Sequence, residues 1–223
     1  MNSIANQGTA ISVGIDCMSF YVPHQYLALE TLADRQQIDV EKFYAGLGQE
    51  KIAIPGHDED VVTLAAEAAK PLIERCGTEG IDTLLFATET GIDQSKAAGL
   101  YVHRLLDLPQ NCRNVELKQA CYSATAALQL ACGHVARKPD RKVLIIASDI
   151  SRYDLDSPAE ATQGSGAVAM LVTAQPRLLK IDDASGCFSE DIMDFWRPNY
   201  RKTPLGDGKY STLKYLYALA HAW

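Results

Sequence analysis

The stretch that decides the fold is Asn114-Val-Glu-Leu-Lys-Gln-Ala-Cys121-Tyr-Ser-Ala-Thr-Ala-Ala-Leu-Gln-Leu-Ala131. Val115 and Leu117 alternate with polar residues, as is typical of a short strand. From Tyr122 onward the residues are small or favour helices, which predicts a helix that begins next to the cysteine. The stretch therefore predicts a strand, a tight connection and a helix, with Cys121 at the turn.

Two interpretations of Cys121 follow from this position. At the first turn of a helix, a cysteine faces unpaired backbone N–H groups and the positive end of the helix dipole, and both favour the nucleophilic thiolate. The same N–H groups could hold the oxyanion of a tetrahedral intermediate. Alternatively, Cys121 is a small apolar residue in an alanine-rich buried helix, and spacing alone favours this second interpretation.

Strands and helices alternate along the rest of the chain. Hydrophobic patterns predict extended segments at residues 10–16, 51–55, 82–88, 142–147, 166–173 and 177–181. They predict helices at 27–36, 61–75, 94–106 and 210–223, a short helix from Asp39 to Leu47, and loops at 20–23 and 151–164. Asp60 is the expected cap of the helix at 61–75, and Pro71 predicts a kink or a break within it. The alternation predicts an α/β fold in which helices cover both faces of a mixed sheet.

The composition narrows the classes of function. The chain has 223 residues, of which 47% are hydrophobic, and a formal net charge of −7, so a sizeable core is possible and a nucleic-acid partner is not expected. No apolar run is long enough to span a membrane, and the first residues lack a signal-peptide pattern. The six cysteines form no CxxC pair, which argues against a metal site and for reduced thiols in the cytoplasm.

Chemically reactive side chains follow three of the predicted strands. Glu89 follows the strand at 82–88, Cys121 follows the strand around Val115, and Asp149 follows the strand at 142–147. Because ligands of open α/β sheets bind beyond the carboxyl ends of the strands, these residues predict a reactive site. Each carboxylate also has a plainer interpretation: Glu89 could cap the next helix, and Asp149 could cap its loop or bind backbone N–H groups.

Five motifs stand in the order and with the separations of one known family. They are Glu89-Thr-Gly-Ile-Asp93, Lys118-Gln-Ala-Cys-Tyr-Ser-Ala-Thr125, Ala147-Ser-Asp-Ile-Ser-Arg-Tyr153, Thr162-Gln-Gly-Ser-Gly-Ala-Val-Ala169 and Asp194-Phe-Trp-Arg-Pro198. Through them the chain resembles the bacterial 3-hydroxy-3-methylglutaryl-CoA (HMG-CoA) synthase family of the mevalonate pathway, from about Ile11 to Trp223.

The resemblance implies a thiolase-like fold and the condensation of acetyl-CoA with acetoacetyl-CoA, without a metal or redox cofactor. It implies that Cys121 takes the acetyl group and that Glu89 removes a proton from the acetyl methyl. The other matched positions are supporting carboxylates and substrate-pocket residues, namely Asp149, Asp194, Tyr153 and Thr162. CoA thioesters are the implied partners, and a homodimer is the implied state of the full-length enzyme.

The main departure from the family concerns the C-terminal part. Members carry a catalytic histidine in a Phe-His-x-Pro-Phe-type motif and most of a second half-domain at positions later than Trp223; His221 instead lies in an ordinary amphipathic pattern. We therefore expect a flexible tail at 1–9, an N-terminal thiolase-like half at 10–175, and connecting strands and a helix at 176–223 that lead into an absent C-terminal half. Such a chain is a fragment, a truncated product or a split subunit.

Two alternative functions stay open. A related polyketide β-branching synthase takes its acetyl group from an acyl carrier protein and shares the motifs of Cys121 and Glu89, although residues 162–166 and 194–198 are more similar to those of the mevalonate enzyme. The other alternative is a non-catalytic thiolase-fold subunit. Gln119 and Ser123 stand where many members have Glu and Ala, which are mild departures.

Overall fold

The computed structural model describes residues 11–223; the predicted tail at 1–9 and Ala10, the first residue of the predicted strand, lie outside them. In chain order, the helices and strands of this part are β1 (Val13–Tyr21), β2 (Gln25–Ala28), α1 (Leu29–Gln36), α2 (Glu41–Leu47), β3 (Lys51–Ile54), α3 (Val61–Cys76), β4 (Ile81–Ala87), α4 (Gly99–Leu105), β5 (Arg113–Leu117), α5 (Ser123–Arg137), β6 (Lys142–Ser151), β7 (Gly164–Ala174), β8 (Leu179–Lys180), β9 (Phe195–Trp196), β10 (Leu205–Gly206) and α6 (Gly208–Ala222).

The chain divides into two compact units. The first contains the described part of Met1–Val22 together with His57–Asp149 and Gly166–Ile181. The second contains Pro23–Gly56, Ile150–Ser165 and Asp182–Trp223.

A mixed six-stranded sheet organises the first unit. Its strand order is β5-β4-β6-β7-β1-β8. β4 pairs in parallel with β5 and β6, whereas β1 pairs antiparallel with β7 and β8. The parallel strands place the carboxyl ends of β4, β5 and β6 at one edge of the sheet.

Helices cover both faces of this sheet, as predicted. All seven residues of β4 are buried, which requires cover on both sides. On one face, Leu85 packs with Ala127 and Ala131 of α5 in a buried cluster. On the other face, the hydroxyl of Ser148 donates to the Val61 carbonyl of α3 at 2.7 Å. Burying an aliphatic side chain such as that of Leu85 stabilises the folded state by about 1.5–3 kcal/mol.

α3 begins as the sequence predicts and continues further than expected. Asp60 accepts hydrogen bonds from the N–H groups of Val62 (2.9 Å) and Thr63 (2.8 Å), which is the predicted cap. Of the kink or break predicted at Pro71, the break does not occur, because α3 runs through the proline as one helix of 16 residues. Its buried stripe includes Ala68 and Leu72 on either side of the proline, so packing against the sheet outweighs the lost backbone hydrogen bond.

Other element boundaries also differ from prediction. Residues 27 and 28, predicted as the start of a helix, belong to β2, and α1 begins at Leu29. α4 begins at Gly99 rather than near 94, because the Asp93 carboxylate accepts from the N–H groups of Ser95 and Lys96, both at 2.7 Å, and holds a turn there. β1 continues through the predicted loop to Tyr21, which pairs with Ala167. β6 extends to Ser151, so Asp149 lies within a strand and not after it.

The second unit contains smaller elements. β2 pairs antiparallel with β3, and α1 packs beside them on a core that includes Leu29, Leu32, Phe43, Ile52 and Ala161. The segment between β6 and β7, predicted as a loop, is irregular except for a 3₁₀ turn at Glu160–Thr162. β9 and β10 pair antiparallel.

α6 closes the described chain. Asp207 caps it by accepting from the N–H groups of Lys209 and Tyr210, both at 3.1 Å. None of the described residues of α6 is buried, so the apolar face predicted there is not packed in a core. Within residues 11–223, no helix is both long enough and apolar enough to cross a membrane.

Candidate active site

Cys121 lies in the turn between β5 and α5 and is exposed. α5 begins at Ser123 with Tyr122 as its N-cap, so the cysteine stands just ahead of the helix and not in its first turn as predicted. Ala120, the preceding residue, has a left-handed backbone with φ of 43°. The turn therefore places Cys121 between the C-terminal end of β5 and the first residue of α5.

Glu89 meets the thiol there. The Cys121 Sγ–H donates to Glu89 Oε1 at 3.3 Å. Because β4 and β5 are parallel neighbours, with Ala87 paired to Leu117, the residues that follow them emerge side by side. The structure therefore places Cys121 and Glu89 together at the carboxyl ends of the strands, as predicted.

Desolvation and nearby negative charges hold Cys121 as a thiol. Although the residue is exposed overall, its sulfur is partly removed from water, and this burial raises the pKa of Cys121 above its ordinary value. The hydrogen bond to Glu89, the negative charge of Glu89 and the charge of Asp149 raise the pKa further. The predicted thiolate is thus wrong for this state, because two nearby carboxylates and burial oppose the effect of the backbone N–H groups. The resting pair is a thiol hydrogen-bonded to a carboxylate that can accept its proton.

Asp149 organises the segment that carries Glu89. Its Oδ1 accepts from the N–H of Glu89 at 2.8 Å and from the N–H and hydroxyl of Thr90 at 3.0 and 2.8 Å. It also accepts from the hydroxyl of Thr88 at 2.9 Å. Asp149 binds backbone N–H groups, as its plainer interpretation proposed, and these N–H groups belong to the Glu89 segment. It is therefore a support for the position of Glu89.

The other three predicted site residues lie together in the second unit. Tyr153, Thr162 and Asp194 line a cavity of about 530 Å³. The Thr162 hydroxyl donates to the Ala159 carbonyl at 2.7 Å, and Asp194 Oδ2 accepts from the Ser211 hydroxyl at 3.0 Å. The six predicted residues thus form two groups of three, one in each unit.

A buried carboxylate that the sequence analysis missed anchors the segment carrying Tyr153 and Thr162. Glu160 is only 3% exposed. Both its oxygens accept from Arg35 Nη2, at 2.5 and 2.7 Å, and Oε2 also accepts from the Gln36 amide and the Asp156 N–H, each at 2.7 Å. No local pattern marks this cluster, because Arg35 and Glu160 lie far apart in sequence.

The described residues offer no evident metal site. Within residues 11–223, no group of three or more His, Cys, Asp or Glu side chains is arranged to hold a metal ion. The chemistry available at the Cys121 turn is nucleophilic attack by sulfur, with Glu89 placed to take and return a proton.

Solved structures define the class of protein. A crystal structure of HMG-CoA synthase complexed with CoA matches with a TM-score of 0.92 and 45% identity, covering 96% of this chain and 55% of that chain. The curacin biosynthetic pathway HMG synthase in complex with acetyl donor-ACP matches with a TM-score of 0.89 and 38% identity, covering 95% of this chain and 53% of that one. The chain has the thiolase-like fold of these synthases, as predicted.

The family follows from the sequence itself. Residues 9–176 match the family described as hydroxymethylglutaryl-coenzyme A synthase N terminal, and the chain belongs to that family. It is 44% identical over 213 residues to the hydroxymethylglutaryl-CoA synthase of Enterococcus faecalis, covering 96% of this chain and 56% of the relative. It is 37% identical over 223 residues to a polyketide biosynthesis 3-hydroxy-3-methylglutaryl-ACP synthase of Bacillus subtilis, covering 92% and 52%. The chain spans about half the length of the relatives it matches.

Proposed function

We propose that this chain carries the acetyl-transfer centre of an HMG-CoA synthase, an acyltransferase of the mevalonate pathway. The overall reaction joins acetyl-CoA, acetoacetyl-CoA and water to give HMG-CoA and free CoA. The observation that carries the proposal is the 3.3 Å contact between Cys121 Sγ and Glu89 Oε1 at the ends of two parallel strands. Membership of the family supports it.

The first step is transfer of the acetyl group to Cys121. As the sulfur attacks the acetyl carbonyl, Glu89 accepts the thiol proton through the existing hydrogen bond. The C–S bond to CoA breaks, the leaving CoA takes the proton from Glu89 and so restores the carboxylate, and one thioester replaces another. No net oxidation or reduction occurs.

The second step uses the same carboxylate. Once Cys121 is acetylated its S–H is gone, so Glu89 faces the acetyl group instead of a thiol proton. Glu89 then removes a proton from the acetyl methyl, and the resulting carbanion attacks the ketone of acetoacetyl-CoA. The ketone oxygen gains a proton, and water finally hydrolyses the thioester to Cys121.

The second unit supplies the proposed substrate-pocket residues. Tyr153 and Thr162, which both carry hydroxyl groups, line this cavity together with Asp194, whose carboxylate accepts from the Ser211 hydroxyl. These groups suit a ligand with many polar atoms along an extended chain, as a CoA thioester has. The relative solved with CoA bound is consistent with that ligand class.

The proposal also covers the domain organisation, the oligomeric state and the compartment of the complete enzyme. We place an N-terminal thiolase-like half at 10–175, and we assign 176–223 to the connection towards a C-terminal half that supplies the catalytic histidine. The complete enzyme would be a homodimer that needs no metal or redox cofactor. Six free cysteines suit a reducing compartment such as the cytoplasm.

The test is direct detection of the acetyl-enzyme. The folded chain, incubated with acetyl-CoA, should gain the mass of one acetyl group on the peptide that contains Cys121. Cys121→Ala should abolish the adduct, whereas Cys187→Ala, which changes another exposed cysteine, should leave it unchanged. Absence of an adduct on the unaltered chain would favour a non-catalytic subunit.

The second candidate is a polyketide β-branching synthase, which takes its acetyl group from an acyl carrier protein. Its support is the 37% identity to the Bacillus subtilis relative and the match to the curacin pathway synthase solved with acetyl donor-ACP. Rates of Cys121 acetylation from acetyl-CoA and from acetyl-ACP, compared at equal concentrations, separate the two. Faster transfer from acetyl-CoA supports the mevalonate enzyme.

A further inference from the structure

Two thiols outside the candidate active site lie together where α3 packs on β1. Cys17 belongs to β1 and is only 9% exposed, whereas Cys76, the last residue of α3, is half-buried. Burial raises the pKa of the Cys17 thiol, and a hydrogen bond with Cys76 raises it further. Both cysteines are free, so the fold brings together two reduced thiols that lie far apart in sequence.

An irregularity in β1 turns Cys17 towards α3. Val13 packs in the buried cluster that contains α5 residues, and alternate residues of a strand share one face, so a regular strand would place Cys17 on the α5 side. The pairing of β1 with β7 shifts register between Ile15 and Cys17, which changes the face of the residues that follow. Ser19, two residues further, donates its hydroxyl to the Ala68 carbonyl of α3 at 2.6 Å. Cys17 therefore lies on the face of the sheet that α3 covers.

A guanidinium group connects the two sides of the pair. Arg177 Nη2 donates to Asp16 Oδ2 at 2.7 Å and to Cys76 Sγ at 3.7 Å, and Asp16 immediately precedes Cys17. One nitrogen thus joins the chain neighbour of the first cysteine to the sulfur of the second. A positive charge beside a sulfur stabilises the negative charge that develops when the thiol loses its proton. Cys76 is therefore the thiol of the pair that is both more accessible and next to a cation.

We propose that Cys17 and Cys76 form a reversible redox pair, which a low-molecular-weight disulfide such as oxidised glutathione converts to an intramolecular disulfide between β1 and α3. The proposal is independent of the role of Cys121. Disulfides in a reducing compartment are usually transient and redox-sensing, so this bond would respond to oxidising conditions. Cys76 ends its helix and precedes Gly77, which has φ of 66°, so the frayed last turn can adjust to close the bond.

The oxidation takes place by two thiol–disulfide exchanges. The Cys76 thiolate first attacks one sulfur of oxidised glutathione, which breaks the S–S bond and releases one glutathione thiolate that takes up the proton lost by Cys76. Cys17 then loses its proton and attacks the Cys76 sulfur, and the second glutathione leaves and takes up that proton. The two cysteines lose two electrons and two protons in total, and one glutathione disulfide becomes two glutathione thiols.

Peptide mapping of the folded chain tests the pairing. After incubation with oxidised glutathione and alkylation of the remaining thiols, mass spectrometry without reduction should find the peptides of Cys17 and Cys76 linked, with the loss of two hydrogen atoms. Excess reduced glutathione should reverse the link. Cys112→Ser, which removes another cysteine whose pKa is raised by burial, should leave the link unchanged. A folded chain in which Cys76 carries only glutathione and never bonds to Cys17 would overturn the proposal.

Two single variants test the order of the steps. Cys17→Ala removes the second attacking sulfur, so Cys76 should accumulate as a mixed disulfide with glutathione. In Cys76→Ser, Cys17 should stay a thiol, because a buried thiol is inert towards a reagent in solution. Equally fast reaction of Cys17 and Cys76 with oxidised glutathione in these two variants would contradict the assignment of Cys76 as the first attacking sulfur.

Denaturant titration shows whether the bond fits the folded state. A disulfide that the fold accommodates restricts the unfolded chain, so the oxidised chain should unfold at a higher denaturant concentration than the reduced chain. Cys17→Ala should show no such increase after the same treatment. Because each variant is compared with its own reduced form, the comparison remains informative if the alanine itself lowers stability. An oxidised chain that is less stable than the reduced chain would mean that the bond forms only by distorting the fold, and would overturn the proposal.

Discussion

The two units hold their proposed functional side chains by different means. In the first unit, Glu89 and Cys121 follow β4 and β5, so the backbone pairing of two parallel strands sets their separation. In the second unit, Tyr153 and Thr162 lie on an irregular segment whose main buried anchor is Glu160. The difference matches the proposed tasks: covalent chemistry needs near-attack geometry on rigid elements, whereas loops on a scaffold can carry binding residues.

The comparison also predicts how the folding and the chemistry of each unit respond to single substitutions. The carboxyl ends of β4 and β5 are held by the backbone hydrogen bonds of the sheet. Single substitutions of the residues that follow them should therefore change the chemistry more than the folding. The segment that Glu160 anchors should be destabilised when the ion pair between Glu160 and Arg35 is broken. Each of the following experiments tests one side of this contrast.

The largest expected effect is on condensation. In an enzyme of full family length that contains this chain, Glu89→Gln should slow condensation by about 10²–10⁴-fold, because an amide cannot take the methyl proton. Cys121 acetylation should fall much less, since a thiol is far more acidic than a methyl group and can lose its proton to water when Glu89 is replaced. Mass spectrometry of the acetyl adduct and of the product measures both steps. Glu74→Gln, an exposed change on α3, is the control; equal loss of both steps would instead assign Glu89 a structural role.

Breaking the ion pair of the second unit should have the next largest effect, on stability. Arg35→Met leaves the buried Glu160 carboxylate without its cation and should cost about 3 kcal/mol in the free energy of unfolding. Denaturant titration measures the loss. Arg141→Met removes the exposed partner of Asp140 and should cost no more than about 1 kcal/mol. Equal costs for the two variants would mean that Glu160 does not anchor its segment.

Removing the support of Glu89 should cost less. Asp149→Ala deletes the oxygen that accepts four hydrogen bonds, and we expect a loss of about 1.5–3 kcal/mol together with slower acetylation of Cys121. Asp149→Asn keeps an acceptor oxygen and should be milder in both respects. Thermal unfolding and the rate of adduct formation measure the two effects. If Asp149→Ala lost less stability and less acetylation rate than Asp149→Asn, the assigned role of Asp149 would be contradicted.

Local sequence patterns predicted much of the fold and the placement of the site. The apolar run of β4 and the alternation in β5 are local signals, and parallel strands then bring Glu89 and Cys121 to one edge. The boundary of α4 was predicted too early, because the Asp93 side chain binds the N–H groups of Ser95 and Lys96 and competes with helix formation.

Features that depend on distant partners could not be predicted in this way. Glu160 stands in a polar segment and looks solvated in sequence, yet it is buried against Arg35, which lies 125 residues away in the chain. The pKa of Cys121 was predicted in the wrong direction for the same reason. Helix position is visible in sequence, whereas the contact with Glu89 and the degree of burial are not.

The smallest expected effect concerns the protonation of Cys121. Burial is the largest cause of its raised pKa, followed by the hydrogen bond to Glu89 and the charge of Glu89. Replacing Glu89 by Gln removes the charge that disfavours the thiolate, so the pKa should fall and the rate of iodoacetamide alkylation near neutral pH should rise. The increase should be partial, because burial, the largest cause of the raised pKa, remains in the variant.

Cys112 provides the internal reference for this measurement. Burial is also the main cause of its raised pKa, which is about 11. Among the described residues, the charge of Asp82 raises this pKa further, and Glu89 does not contribute. Its alkylation should therefore stay slow and be the same in the unaltered and Glu89→Gln chains, while that of Cys121 changes. An unchanged or upward-shifted pH profile for Cys121 in the variant would mean that the thiol and the carboxylate are not in contact in solution. The sheet edge would then not hold the pair as rigidly as its hydrogen bonds indicate, and the contrast with the second unit would weaken.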